Sequence, residues 1–229
     1  MTSIATDKEE GPGMQNNWKK YRVKAAGMRW LAAVSLVLFA TCAYSASKTV
    51  LVLGDSLSAE YGLARGSGWV TLLEQRIRQS QLKVNVVNAS ISGETTSGGK
   101  ARLPALLTQH RPDVVVIELG GNDGLRGLPV ASAERNLRDM IKASQTANAQ
   151  VLLVGMQIPP NYGRAYTQQF TGMYEKLAKE TKIGLAPFLL QSVADDPKLF
   201  QPDRIHPVAE AQPIMLDNVW PHLKPLLSK

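Results

Sequence analysis

The sequence predicts a three-layer α/β sandwich built on a parallel sheet, and three observations predict it. Short runs rich in β-branched residues, apolar on both faces, recur along the chain. Longer amphipathic stretches separate them. Several of the runs end abruptly in glycine, at Gly54, Gly120-Gly121 and Gly155. Runs apolar on both faces imply strands covered on both sides. Their alternation with helical stretches implies strand–helix–strand crossovers.

The first strand is expected over Thr49–Leu53 and the second over Val84–Val87. The third is Val114–Leu119, the fourth Val151–Val154, and a weaker fifth lies within Ile183–Phe188. Helices are expected over Gly68–Gln79, where Trp69, Leu72, Leu73 and Ile77 fall at helical spacing, and over Lys100–His110. Ser132–Ala147 carries Leu137, Ile141 and Ser144 on one side, and Ala165–Lys182 carries Phe170, Met173, Tyr174 and Leu177. Val208–Leu227 closes the chain. In sheets of this type the reactive groups gather outside the carboxyl ends of the strands.

A chain of 229 residues suits one domain plus a leader. With 44% hydrophobic and 20% charged residues it has material for a sizeable core without disulfide staples. Its net charge of +7 is concentrated early, at Lys19, Lys20, Arg22, Lys24 and Arg29. No aromatic–basic interleaving follows, so nucleic acid is not an expected partner. Leu31–Ala43 is an apolar run after a basic flank, and Ala43-Tyr44-Ser45 offers small residues for cleavage. Together these describe a secretory signal peptide. The run falls short of the roughly 20 residues of a membrane span. Residues 1–45 are therefore expected to be an extension and leader, and 46–229 the functional domain. Translation is expected to start at Met14 or Met28 rather than Met1. The only cysteine, Cys42, lies inside the leader, and Thr41 before it argues against lipid attachment. The mature chain is then a thiol-free, periplasmic or secreted monomer without a stable membrane span.

The loop after the first strand reads Gly54-Asp55-Ser56-Leu57-Ser58. A serine there sits at the sheet edge, near the start of a following helix, where free N–H groups point outward. Alone it reads more readily as a turn or capping serine. Far down the chain, Gln201-Pro202-Asp203-Arg204-Ile205-His206-Pro207 puts an acid three residues before a histidine. That spacing lets Asp203 hold one imidazole nitrogen while the other faces a serine, the arrangement of an acid, general base and nucleophile. His110 ends a helix and His222 lies in the last one, and neither has an acid at comparable spacing. Gly120-Gly121-Asn122-Asp123-Gly124 follows the third strand and Gly93 follows the second. An asparagine amide and a backbone N–H placed there are candidate donors to an oxyanion. With three histidines and no mature cysteine, zinc-ligand spacings are absent, and neither metal nor cofactor is expected.

The order of these blocks resembles the SGNH (GDSL) hydrolase family, over nearly the whole stretch from Thr49 to Leu227. The match rests on Ser56 in Gly54–Ser58, on Gly93, on Asn122 in Gly120–Asp123, and on His206 with Asp203. Glu118–Gly127, Pro160-Asn161-Tyr162-Gly163 and Ala211-Gln212-Pro213 are similar to its bacterial thioesterase, lysophospholipase and arylesterase subgroup. The resemblance implies a flavodoxin-like five-stranded parallel sheet. It implies Ser56, His206 and Asp203 as the triad, with Ser56 N–H, Gly93 N–H and the Asn122 side chain as oxyanion hole. It implies that the loop of Gly124, Leu125, Arg126, Gly127, Leu128 and Pro129 lies beside the acyl chain of small ester or thioester substrates. Arg204 stands where the subgroup often has glycine, and Pro129 is expected to stiffen the acyl-side loop. A carbohydrate acetyl-esterase and an inactive lipid-binding domain are the alternatives. The Gly-x-Ser-x-Gly elbow of ordinary α/β-hydrolases is not met, because Ser58 stands in its fifth place.

Overall fold

The computed structural model describes residue 2 and residues 47–228. The expected leader, Cys42 and the candidate start methionines lie outside the described residues. The fold below is that of the unit Ala46–Lys229.

Five parallel strands form one sheet in the order β2-β1-β3-β4-β5. They are β1 (Lys48–Gly54), β2 (Val84–Asn88), β3 (Val114–Glu118), β4 (Gln150–Val154) and β5 (Gly184–Ala186). Val50–Leu53, Val114–Ile117 and Leu152–Val154 are wholly buried. Each such side chain contributes about 1.5–3 kcal/mol when buried, so the three central strands anchor the sheet. β2 at one edge is half-buried, and β5 at the other is only three residues long.

The helices are α1 (Trp69–Gln79), α2 (Thr96–His110), α3 (Gly121–Leu125), α4 (Val130–Thr146), α5 (Arg164–Thr181) and α6 (Gln212–Leu227). α1 packs with α6, while α4 packs between α2 and α5. This is the expected α/β/α layering with a flavodoxin-like strand order. Right-handed crossovers place successive helices on either face according to the direction of winding. The order reverses at β1, so the loops after β1 and β3 open side by side at the switch point. No helix among the described residues is long and apolar enough to cross a membrane.

Three local features depart from expectation. Helix α2 begins at Thr96 rather than Lys100, because Thr95 caps it by accepting the Gly98 N–H, and Asp123 accepts from both Thr96 N–H and its hydroxyl. Those bonds offset the low helix propensity of Gly98-Gly99. The loop after β3 is a short helix, not a turn: Gly120 at φ 117° breaks the strand, and the chain enters α3 at once. Conversely, no regular helix follows Ser56. Residues 56–62 form consecutive turns, held by Ser58 and Ala59 N–H on Asp55 O and by Tyr61 N–H on Ser56 O.

Candidate active site

Parallel pairing sets the stage. Gly54 at the end of β1 stands opposite Glu118 at the end of β3, so the turns carrying Ser56 and Asn122 leave the sheet at one level. The loop after β2 is drawn to the same place, since Ile91 N–H donates to Gly54 O at 3.1 Å and Asn88 Nδ2 to Ser58 O at 2.8 Å.

The last loop arrives as a short antiparallel bridge between Phe200 and Pro207. Gln201 ties it down: its N–H donates to His206 O at 2.7 Å, and its side chain donates to Tyr61 O and Pro207 O. The result is a chain of three groups. His206 Nδ1 lies 2.7 Å from Asp203 Oδ2, and His206 Nε2 lies 2.9 Å from Ser56 Oγ. A carboxylate only accepts, so Nδ1 carries the proton and Nε2 accepts from the Ser56 hydroxyl. Asp203 Oδ1 also accepts the Ile205 and His206 N–H groups at 3.0 Å. The bonds from the His206 ring and backbone hold its carboxyl down at about 2. With its folded value below the ordinary one, its contribution is present above about pH 4 and lost as pH falls toward 2. The Tyr61 ring lies against the imidazole at a tilt of 37°, ring centroids 4.2 Å apart.

Arg204 sits between them at φ 59°. A left-handed backbone costs a residue with a Cβ about 1 kcal/mol or more, and glycine nearly nothing. This accounts for the glycine often found there in the subgroup that the sequence resembles. Arg204→Gly is expected to raise the thermal midpoint by a few degrees with the triad distances unchanged; a lower midpoint would show that the guanidinium makes a compensating contact.

The three candidate oxyanion donors differ in readiness. Ser56 N–H and Gly93 N–H donate to no acceptor among the described residues. Asn122 Nδ2 is engaged twice, with Asp55 Oδ2 and Glu94 O, each at 3.0 Å. Both hydrogens of its amide are thus committed in this structure.

Within α3, Gly124 faces the interior, where Ile158 and Phe170 would crowd any Cβ. Leu125 and Leu128 are exposed. Their carbonyls accept from Tyr162 and Tyr166 hydroxyls at 2.8 and 2.7 Å, and Arg126 Nη2 donates to Gly93 O at 3.1 Å. Gly127 takes a positive φ, and Pro129 caps α4 through its carbonyl. The loop is thus pinned at three points. Ile91 and Ile205 add exposed apolar surface near the site. His110 ends α2 and His222 is exposed on α6, away from Ser56 in both topology and bonding.

The profile of the GDSL-like lipase/acylhydrolase family matches residues 52–212, a span that holds Ser56, Gly93, Asn122, Asp203 and His206. The chain belongs to that family. Among curated proteins, this GDSL acylhydrolase is 50% identical over 183 residues to the esterase TesA of Pseudomonas aeruginosa, covering 80% of this chain and 91% of the relative. It is 44% identical over 200 residues to thioesterase 1/protease 1/lysophospholipase L1 of Escherichia coli K12, covering 87% and 95%. Among solved structures it resembles the psychrotrophic esterase EstA from Pseudoalteromonas, inhibited by monoethylphosphonate, with a TM-score of 0.76 and 43% identity over 80% of this chain and all of that one.

Two acids of the acylhydrolase were not picked out from sequence: Asp55 and Glu118, both buried. A signal existed for Glu118, the single charge in an otherwise apolar run, Val114–Leu119. Tyr61 carried no comparable signal, because its contact with His206 depends on a turn that local sequence does not specify.

Proposed function

We propose that the chain is a serine hydrolase that cleaves acyl esters and thioesters through an acyl-enzyme on Ser56. The observation that carries the reading is the Ser56–His206–Asp203 relay, with both hydrogen bonds at 2.9 Å or less. His206 Nε2 takes the Ser56 proton as Oγ attacks the substrate carbonyl. The oxyanion is received by Ser56 N–H, Gly93 N–H and Asn122 Nδ2. The carbonyl re-forms, and the leaving alcohol or thiol departs with the proton from His206. Water, deprotonated by His206, then attacks the acyl-enzyme, and the proton returns to Ser56 as the acid is released. Asp203 stabilises the imidazolium in both halves of the cycle.

The apolar side chains of Leu125, Leu128 and Ile91 support an acyl chain as the group that lies across the oxyanion donors. The names of the relatives, esterase, thioesterase and lysophospholipase, agree in chemistry and differ in leaving group. Residues 1–45 act in this reading as a leader that delivers domain 46–229, as a monomer, to the periplasm or beyond.

The test is an organophosphonate probe followed by substrate profiling. One probe adduct per chain is expected, mapping to Ser56. Aryl esters, acyl-thioesters and lysophospholipids of increasing acyl length should all be hydrolysed, with kcat/KM rising from acetyl to longer chains as apolar area is buried. Activity confined to acetyl groups on carbohydrates would overturn the substrate assignment; an adduct elsewhere would overturn the nucleophile.

A further inference from the structure

Two carboxyl groups lie behind the nucleophile turn, and the steps above use neither. Glu118 is fully buried and Asp55 is 2% exposed. Glu118 Oε2 accepts the Asp55 N–H at 3.3 Å and the Ser58 hydroxyl at 2.7 Å. The Ser58 oxygen accepts in turn from Trp69 Nε1 at 3.1 Å, so its own proton is committed to Glu118. Glu118 Oε1 meets no donor among the described residues. Asp55 keeps different company: Oδ1 accepts the Leu57 N–H and Oδ2 the Asn122 amide, each at 3.0 Å. Space for the pair is provided by Gly54, where a Cβ would lie 2.7 Å from Glu118 Oε2.

Two buried carboxyls whose like charges oppose each other do not both ionise. The titratable groups facing the pair are Asp123 on α3, Tyr174 on α5 and His206 on the last loop, and none is a lysine or arginine. Donors decide where the single charge rests. Asp55 has a donor on each oxygen, whereas Glu118 has an oxygen with none. Burial and the neighbouring Asp55 push Glu118 well above the ordinary carboxyl range, while Asp55, against its donors, rises to about 6.

We propose that Asp55 and Glu118 form a buried pair with one negative charge, held on Asp55, and that Asp55 is a positioning residue whose carboxylate aims the Asn122 amide. Neutral Glu118 buttresses the turn from behind. The positioning role rests on the oxyanion-donor reading of Asn122 given above. An amide at position 55 would turn its own NH2 toward either Asn122 or Leu57, donor against donor, so one of the two bonds must break.

The experiment combines kinetics with titration on the intact folded enzyme. Asp55→Asn is expected to lower kcat by about 10- to 100-fold with KM within about 3-fold. Because Asp55 acts through Asn122, Asp55→Asn/Asn122→Ala should be no slower than Asn122→Ala alone. Glu118→Gln should keep kcat within about 3-fold, since the amide imitates a neutral acid. It should also raise the thermal midpoint near neutral pH. A folded-state value above the unfolded one makes Glu118 take up a proton on folding, a penalty that grows as pH rises above about 4 and that glutamine removes. Infrared difference spectra of wild type against Glu118→Gln near neutral pH should show a protonated-carboxyl stretch lost with Glu118.

Unchanged kcat in Asp55→Asn, or multiplicative losses in the double variant, would overturn the positioning role. A lower midpoint in Glu118→Gln, or no protonated-carboxyl band, would overturn the neutral acid. If Ser56→Ala still turned over ester, the nucleophile reading would fall and the positioning role with it. The infrared and midpoint results would still decide the charge of the pair.

Discussion

Ester turnover by the Ser56→Ala variant is expected to fall by about 10⁴- to 10⁶-fold, the range seen when the nucleophile of a serine hydrolase triad is removed. What remains is water-mediated attack assisted by the oxyanion donors and by binding. The fold should be indifferent to the change. Ser56 is only partly buried, and its hydroxyl makes one bond, to His206. A single neutral hydrogen bond contributes about 1 kcal/mol net, and His206 stays anchored by Asp203 and by the Tyr61 ring. The measurement pairs steady-state kcat on an aryl ester with a thermal melt. A loss of activity accompanied by a collapse of the melt would speak for a structural role; a residual rate within about tenfold of wild type would remove Ser56 from the chemistry.

Asn122→Ala is expected to lower kcat on the order of 100-fold, the usual consequence of losing one oxyanion donor. KM should change little, because the donor matters most when charge develops on the carbonyl oxygen. There is a second, independent signature. Asn122 is one of two donors that hold the Asp55 carboxylate. Removing it leaves that buried charge less supported, so the acidic titration of Asp55 should move up from about 6. Kinetics at two pH values, one near 6 and one near 8, should show a smaller deficit at the lower, because protonating Asp55 releases the Asn122 amide in wild type and finds no amide to release in the variant. A pH-independent deficit would show that Asn122 and Asp55 are not coupled.

The strands were legible because β1, β3 and β4 are covered on both faces, and such segments read as unbroken apolar runs. The relay was legible from the spacing of Asp203 and His206, which a single turn brings into register. The Asp55–Glu118 pair was not, because 63 residues separate its members and only the pairing of Gly54 with Glu118 unites them. Local propensity misjudged the start of α2, where a capping threonine and Asp123 outweigh two glycines. It likewise misjudged the segment after Ser56, where turns replace the expected helix. At α2 one deciding bond runs 27 residues along the chain, from Thr96 to Asp123, where sequence proximity does not reveal it.

The relay joins positions 150 residues apart, and its second half follows all five strands. A ribosome working at roughly 5–20 residues per second makes the nucleophile about 8 to 30 seconds before the base exists. The final helix, α6, docks on α1 later still. Throughout that interval the growing chain holds a serine that nothing can deprotonate. In the serine-hydrolase reading, a chain cut short anywhere before residue 201 lacks the base and is expected to be inert however well its sheet has formed.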